Sequence, residues 1–174
     1  MTIYSLRLFK KNNLNENLLL CYAEDISSFP FFARISNSAS EFLLFTSRTF
    51  ADKTLESNFV KYIEGDYAIY VHSRFDGLIP VLITDKSYPE RVGFEVLSKM
   101  VKLFKHEEHN WDWAMWEEDV KDSHNNLIRS SLQKLLEDYS TNLNKEDRLL
   151  KVSSQLDETK VVMTESVNKI DRKS

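Results

Sequence analysis

His106, Glu107, Glu108 and His109 bring ligand-type side chains together, with Asp112 and His124 further along. Zinc hydrolase helices use His-Glu-x-x-His, which sets two imidazoles one turn apart with a carboxylate base between them. Here the order is His-Glu-Glu-His, so that spacing fails. The expectation is a solvated helix end and loop, with no metal site. Trp111, Trp113 and Trp116 follow at once. Such a cluster is expected to pack on its own domain, with a membrane- or partner-facing patch as the second reading. The chain holds no nucleophile beside a base and no carboxylate pair flanking a cleft, and its three glycines leave little room for a phosphate cradle. No catalytic residue and no cofactor is assigned, and an enzyme is not expected.

The pattern with chemical content is one of association. Leu149, Val152, Leu156, Thr159, Met163, Ser166 and Ile170 recur at steps of three and four, and the next step lands on Lys173. This is an a/d heptad three repeats long. Charged and small polar residues fill most positions between, so the apolar stripe is thin. A helix of this kind has no core of its own. It lies on another surface, as an ordinary amphipathic helix on the preceding domain, or it joins partner helices. Thr159 and Ser166 on the seam make it a weak zipper alone.

The elements that must carry this tail come before it. Residues 2–9 and 18–23 alternate as two strands around a polar turn, and the pattern predicts a hairpin. Cys21 sits in the second as a small core residue. Residues 25–34, DISSFPFFAR, read as an aromatic connection whose Phe29, Phe31 and Phe32 need cover. A helix is predicted from Ser38 to about Asp52, opened by a Ser38–Glu41 capping box, with Phe42, Phe45, Thr49 and the pair Leu43/Phe50 as its apolar face. Three strands follow, at 58–63, 67–75 and 78–85. Asp76-Gly77 marks a two-residue hairpin between the last two. The third is apolar enough to lie buried on both faces, and Pro80 within it predicts an edge position or a bulge. Pro89 opens a helix with Val92, Val96, Leu97, Met100, Val101 and Phe104 inward. A last helix over 127–139 turns Ile128, Leu132, Leu135 and Tyr139 inward. The order is β-β-α-β-β-β-α-α, then the heptad tail.

The 174 residues fit one domain and a tail, and a net charge of −4 gives no reason to expect nucleic acid as a partner. The single cysteine allows no internal disulfide and suits a reducing, cytosolic setting. No run reaches the roughly 18 apolar residues of a membrane span. The N-terminus lacks the order of a signal peptide. The last residues, Asp171-Arg172-Lys173-Ser174, hold no prenylation cysteine. As it stands the chain is expected to be soluble and unanchored.

Four segments resemble the Ykt-type lipid-anchored longin R-SNAREs, a synaptobrevin-like family. They are residues 25–34, residues 41–54 after a two-residue insertion around Asn37, residues 81–89 (VLITDKSYP), and residues 155–160 (QLDETK). The last two are the specific ones. The resemblance implies a longin (profilin-like) α+β fold over 1–140, with a five-stranded antiparallel sheet between helices. The first helix covers one face and the other two cover the opposite one. Residues 141–174 would be the N-terminal half of an R-SNARE coiled-coil motif.

By the same resemblance, the tail folds back into an apolar groove between the first longin helix and the middle strand, matched here by Phe42, Phe45, Phe59 and Tyr62. Read as plain residues, those four aromatics are equally well core. On release the tail joins three Q-SNARE helices in a four-helix complex for vesicle docking and fusion. Its layers would be Leu149, Val152, Leu156, Thr159, Met163, Ser166, Ile170 and Lys173. The family centres on an arginine. Strict spacing puts Lys173 there, and Arg172 is the candidate if one residue is missing. Lysine lacks arginine's planar fork. The family motif continues and ends in cysteines for palmitate and prenyl groups, so this chain reads as cut short. The implied setting is cytoplasmic, cycling onto Golgi, endosomal and vacuolar membranes in ER–Golgi and later transport. The competing reading is a longin-like trafficking scaffold or adaptor subunit whose C-terminal helix binds one fixed partner.

Overall fold

The computed structural model describes residues 2–12, 14–107 and 126–140. β1 (Ile3–Lys11) and β2 (Asn17–Glu24) form a hairpin, and a five-residue helix α1 (Phe31–Ile35) leads into α2 (Ser38–Lys53). Then come β3 (Phe59–Glu64), β4 (Tyr67–His72), β5 (Leu78–Asp85), α3 (Glu90–Glu107) and α4 (Asn126–Ser140). The strands make one sheet, ordered β2-β1-β5-β4-β3, with every neighbouring pair antiparallel. The predicted α+β order is present, with α1 added. The tail that should follow lies outside the described residues.

Successive side chains of a strand point to opposite faces, so each strand feeds two cores. Ile69, Val71, Ile79, Val81 and Ile83 enter one core with Leu43 and Phe50 of α2. Ala68, Tyr70, Leu78 and Leu82 enter the other, with the inward sides of α3 and α4. β5 is central and buried from Leu78 to Thr84. Pro80 causes no bulge there. The register shifts fall between Leu8 and Phe9 and between Ile3 and Ser5. The last β4 pair is Val71 with Val81, so Pro80 lies one residue past the end of that ladder.

α3 presents Val92, Val96, Leu97, Met100, Val101 and Phe104 to the sheet, all buried as predicted. It approaches closely because residue 93 is glycine: a Cβ there would meet the Tyr70 ring at 2.6 Å. α4 buries Ile128, Leu132 and Leu136, while Leu135 and Tyr139 are half-buried. Its end is tied down by two bonds. The Tyr88 hydroxyl donates to the Tyr139 carbonyl at 2.7 Å, and the Ile3 N–H donates to Ser140 Oγ at 3.0 Å.

Local expectations fail in four places. No Ser38 cap forms: Asn37 precedes α2 in the left-handed region, φ 61°, and makes no side-chain cap. The Ser38 hydroxyl bonds back toward α1 instead, at the Ala33 carbonyl. Phe31 and Phe32 find no cover and are 61% and 79% exposed. β4 stops at His72, and the Asp76-Gly77 turn has three residues rather than two. Arg74 N–H donates to the Leu78 carbonyl and Gly77, at φ 92°, takes the left-handed position.

Candidate partner-binding surface

α2 sits against the sheet on small residues. Ala39, Leu43, Thr46, Ser47, Phe50 and Ala51 are buried, and the small side chains among them let the helix axis come close. The predicted apolar face is therefore split. Leu43 and Phe50 point in, whereas Phe42, Phe45 and Thr49 lie on the flank.

That flank forms one wall of a trough. Phe42, Phe45, Thr49 and Lys53 run along α2, and Glu64 and Tyr67, at either side of the β3–β4 turn, face them across a hollow of about 330 Å³. Phe50 lies within it, with its ring 4.7 Å from that of Tyr62. The Tyr62 hydroxyl pairs with Thr54 Oγ1 at 2.8 Å. At the other end of the trough the Phe42 ring meets Tyr67 at 5.3 Å, Tyr67 meets Tyr4 at 5.4 Å, and Tyr4 meets Phe29 at 5.8 Å. Offset and tilted ring pairs at these separations are favourable beyond the area they bury. The Tyr4 phenol is pushed above its ordinary value, first by burial and then by the Asp85 carboxylate, so it stays a neutral ring in this cluster. Lys53 Nζ stands 5.0 Å over the Phe50 ring.

Two of the four predicted groove residues line this trough. Phe42 is 39% exposed and Phe45 72% exposed. Tyr62 is buried one layer below. Phe59 is on the other face of the sheet: it stacks on His72 and meets Phe94 of α3, and two-residue alternation separates it from Val60 and Tyr62. The strand carrying both, β3, is an edge of the sheet and not its middle. Tyr67, Glu64 and Lys53 were absent from the predicted set. The signal for Tyr67 was available, since it alternates in phase with Ile69 and Val71, which face α2.

A buried ion pair holds the start of α2 in place. Arg7, on β1, reaches Glu24 Oε1 at 3.1 Å, and Ser40 Oγ of α2 donates to the other Glu24 oxygen at 2.5 Å. Burial pulls the Arg7 guanidinium below its ordinary value, and Glu24 works against that pull.

His106 is exposed at the end of α3. His109, Asp112, His124 and the three tryptophans lie outside the described residues, as do all the heptad positions from Leu149 to Lys173 and Arg172. Among the described residues no group of three or more His, Cys, Asp or Glu could hold a metal ion, and no helix is long and apolar enough to cross a membrane.

Residues 27–123, more than half of the chain, match the longin family model, described as a regulated-SNARE-like domain. The chain is 34% identical over 172 residues to the synaptobrevin homolog YKT6 of Eremothecium gossypii, covering 98% of this chain and 81% of that one. It is 30% identical over 170 residues to the synaptobrevin homolog YKT6 of Saccharomyces cerevisiae, with the same coverage. The Candida glabrata protein of that name is 29% identical over 176 residues. The sheet order, the placing of one helix against two and this similarity along nearly the whole length agree, and the chain belongs to the longin SNAREs of the Ykt6 type.

Proposed function

We propose that this chain is an R-SNARE for vesicle docking and fusion, and that its longin domain, residues 1–140, restrains the coiled-coil segment, residues 141–174. The observation that carries the reading is the trough beside α2. It leaves Phe42 and Phe45 exposed on a domain whose sequence continues into a thin heptad needing a partner surface. In the closed form the seam of Leu149, Val152, Leu156, Thr159 and Met163 covers that trough. The eight residues between Ser140 and Leu149 reach about 26 Å when extended. Ser140 is bonded to Ile3, whose chain neighbour Tyr4 belongs to the aromatic cluster, so the tail leaves the α4 face at the β1 start and must pass round the sheet to reach the trough.

On release, the same seam enters layers with three Q-SNARE helices. Each layer removes apolar surface from water at about 25 cal/mol per Å². Zippering toward the membrane couples that gain to bilayer approach. Ser166, Ile170 and Lys173 continue the layers, with Arg172 as the alternative central residue. The setting proposed is the cytosolic face of Golgi, endosomal and vacuolar membranes, on ER–Golgi and later routes. Palmitate and prenyl groups would anchor a longer form.

Hydrogen exchange tests the closed form. Phe45→Glu puts a charge on the trough without touching the core. Exchange across 149–170 is expected to rise at least about tenfold while the sheet keeps its protection. Unchanged exchange in that segment counts against the closed form. Failure of the wild-type chain to bind any Q-SNARE helices counts against the SNARE role itself.

A further inference from the structure

Eight large apolar side chains are exposed among the described residues. Five of them, Phe31, Phe32, Ile35, Phe42 and Phe45, belong to α1 and α2. The other three are Leu14, Leu55 and Phe75, at 77%, 74% and 82% exposure. Each sits in a different turn, and all three turns lie at one end of the sheet. Lys11 N–H donates to the Gly77 carbonyl, joining the β1–β2 and β4–β5 turns. Ser57 N–H donates to the Ser73 carbonyl, and Ser73 N–H to the Asn58 carbonyl, joining the α2–β3 and β4–β5 turns. Scattered apolar residues are normal on a surface. One per turn on three adjoining turns is a pattern.

We infer that this end of the sheet contacts membranes by inserting Leu14, Leu55 and Phe75 into the interfacial layer of a bilayer. The first argument is that the turns are stiff and part of their backbone is already bonded, which lowers the cost of entering a layer poorer in water. Asn12 Oδ1 accepts from both Leu14 and Glu16 N–H at 2.9 Å. Asp76 Oδ1 accepts from Leu78 N–H at 3.1 Å, and Asn58 N–H donates to the Leu55 carbonyl at 3.2 Å. Each turn is also held in one conformation by a left-handed residue: Asn15, Ser57 and Gly77. The second argument is shape. The hollow at this end, about 530 Å³, is lined largely by polar side chains, including Lys11, Glu16, Arg48 and Asp52. It offers no apolar socket for the knob of a protein partner, and the tips project separately.

Charges around the tips nearly balance, with one more basic than acidic side chain once Arg48 is included. Lys11, Lys53, Arg74 and Lys105 stand with Glu16, Asp52, Glu56 and Asp76, and Asp76 is paired to both Arg74 and Lys105. Attraction to anionic lipid is therefore weak, and apolar insertion must carry the binding. The long cationic side chains can lie along the layer with their heads in water. This contact surface is separate from the trough beside α2 and does not depend on what occupies it.

The test is flotation of the full chain with phosphatidylcholine vesicles, with and without phosphatidylserine. The chain is expected to float with both, and to stay bound in about 0.5 M salt, where surface charge is screened. Leu14→Ser, Leu55→Ser and Phe75→Ser together should lower the partition coefficient at least about tenfold, with an unchanged thermal melt. Phe32→Ser, an equally exposed ring on α1, should leave flotation as it was. A dye that brightens in apolar surroundings, attached to Phe75→Cys, should brighten on vesicle addition, since Cys21 is buried and does not compete for label. The inference is overturned if the wild-type chain does not float, if the triple variant floats equally well, or if salt alone releases the chain. Loss of flotation in Phe32→Ser with retention in the triple variant would also overturn it, and would move the contact to α1.

Discussion

The two faces of the sheet are built from the same strands and finish differently. On one face α3 and α4 cover Tyr70, Leu78 and Leu82, and no large apolar side chain of either helix is exposed among the described residues. On the other face α2 stands alone beside the five-residue α1. One helix is too narrow to cover five strands, so the flank of α2 and the β3–β4 edge keep uncovered aromatic surface. A face closed by two helices is stability. A face closed by one is stability beneath and exposed aromatic surface above, the surface that the proposed closed form would cover.

Truncations on the two faces should separate these roles. Phe104→Ala, on the closed face, is expected to cost about 3–5 kcal/mol in urea unfolding, as for other fully buried aromatics. Phe45→Ala, on the open face, should cost within about 0.5 kcal/mol, because that ring is 72% exposed. A Phe45 cost approaching that of Phe104 would mean the open face is already closed in solution.

The open face has its own stake beneath the surface. Glu24→Ala should destabilise by about 3 kcal/mol, since it leaves the Arg7 guanidinium buried without its counter-charge and frees Ser40 at the start of α2. Hydrogen exchange should then show α2 loosening before α3. Uniform loosening would erase the proposed difference between the faces.

A further small effect is a pH dependence at the turn end, away from both faces. Burial alone would raise the Asp76 carboxyl, but hydrogen bonds from Arg74, Leu78 N–H and Lys105 outweigh it and hold the group well below the usual carboxylate range. Its unfolded value is about 3.9. The unfolded chain therefore binds the proton first as pH falls. The stabilisation is complete above about pH 4 and is lost as pH drops toward the folded value. The ion pairs are solvent-facing, so the loss should stay under about 1 kcal/mol. Asp76→Asn should flatten that part of the acid unfolding curve, and an unaltered curve would remove Asp76 from the account.

Much of the fold was legible in local pattern. The inward side of α3 was read except for Phe94, which is buried in the same core, because its 3.6-residue period is long and clean. β5 was read as buried on both faces, because it lacks alternation. The trough was read in part. Phe42 and Phe45 belong to it, but Phe59 does not, since its position depends on the phase of β3, where one residue's shift exchanges the faces. α1 was missed because five residues after a proline carry no period. The Asp76-Gly77 turn was located correctly, but its length is set by how far β4 and β5 pair.

The amino-acid sequence by itself determined the kinds and order of the elements, the inward sides of the long helices and the heptad of the tail, because these are periods along one chain segment. Only the tertiary structure decided which aromatics of α2 stay in water and that Leu14, Leu55 and Phe75 share one end of the sheet. Those facts depend on neighbours distant in the chain, brought together by strand pairing and by the width of the helices that cover it.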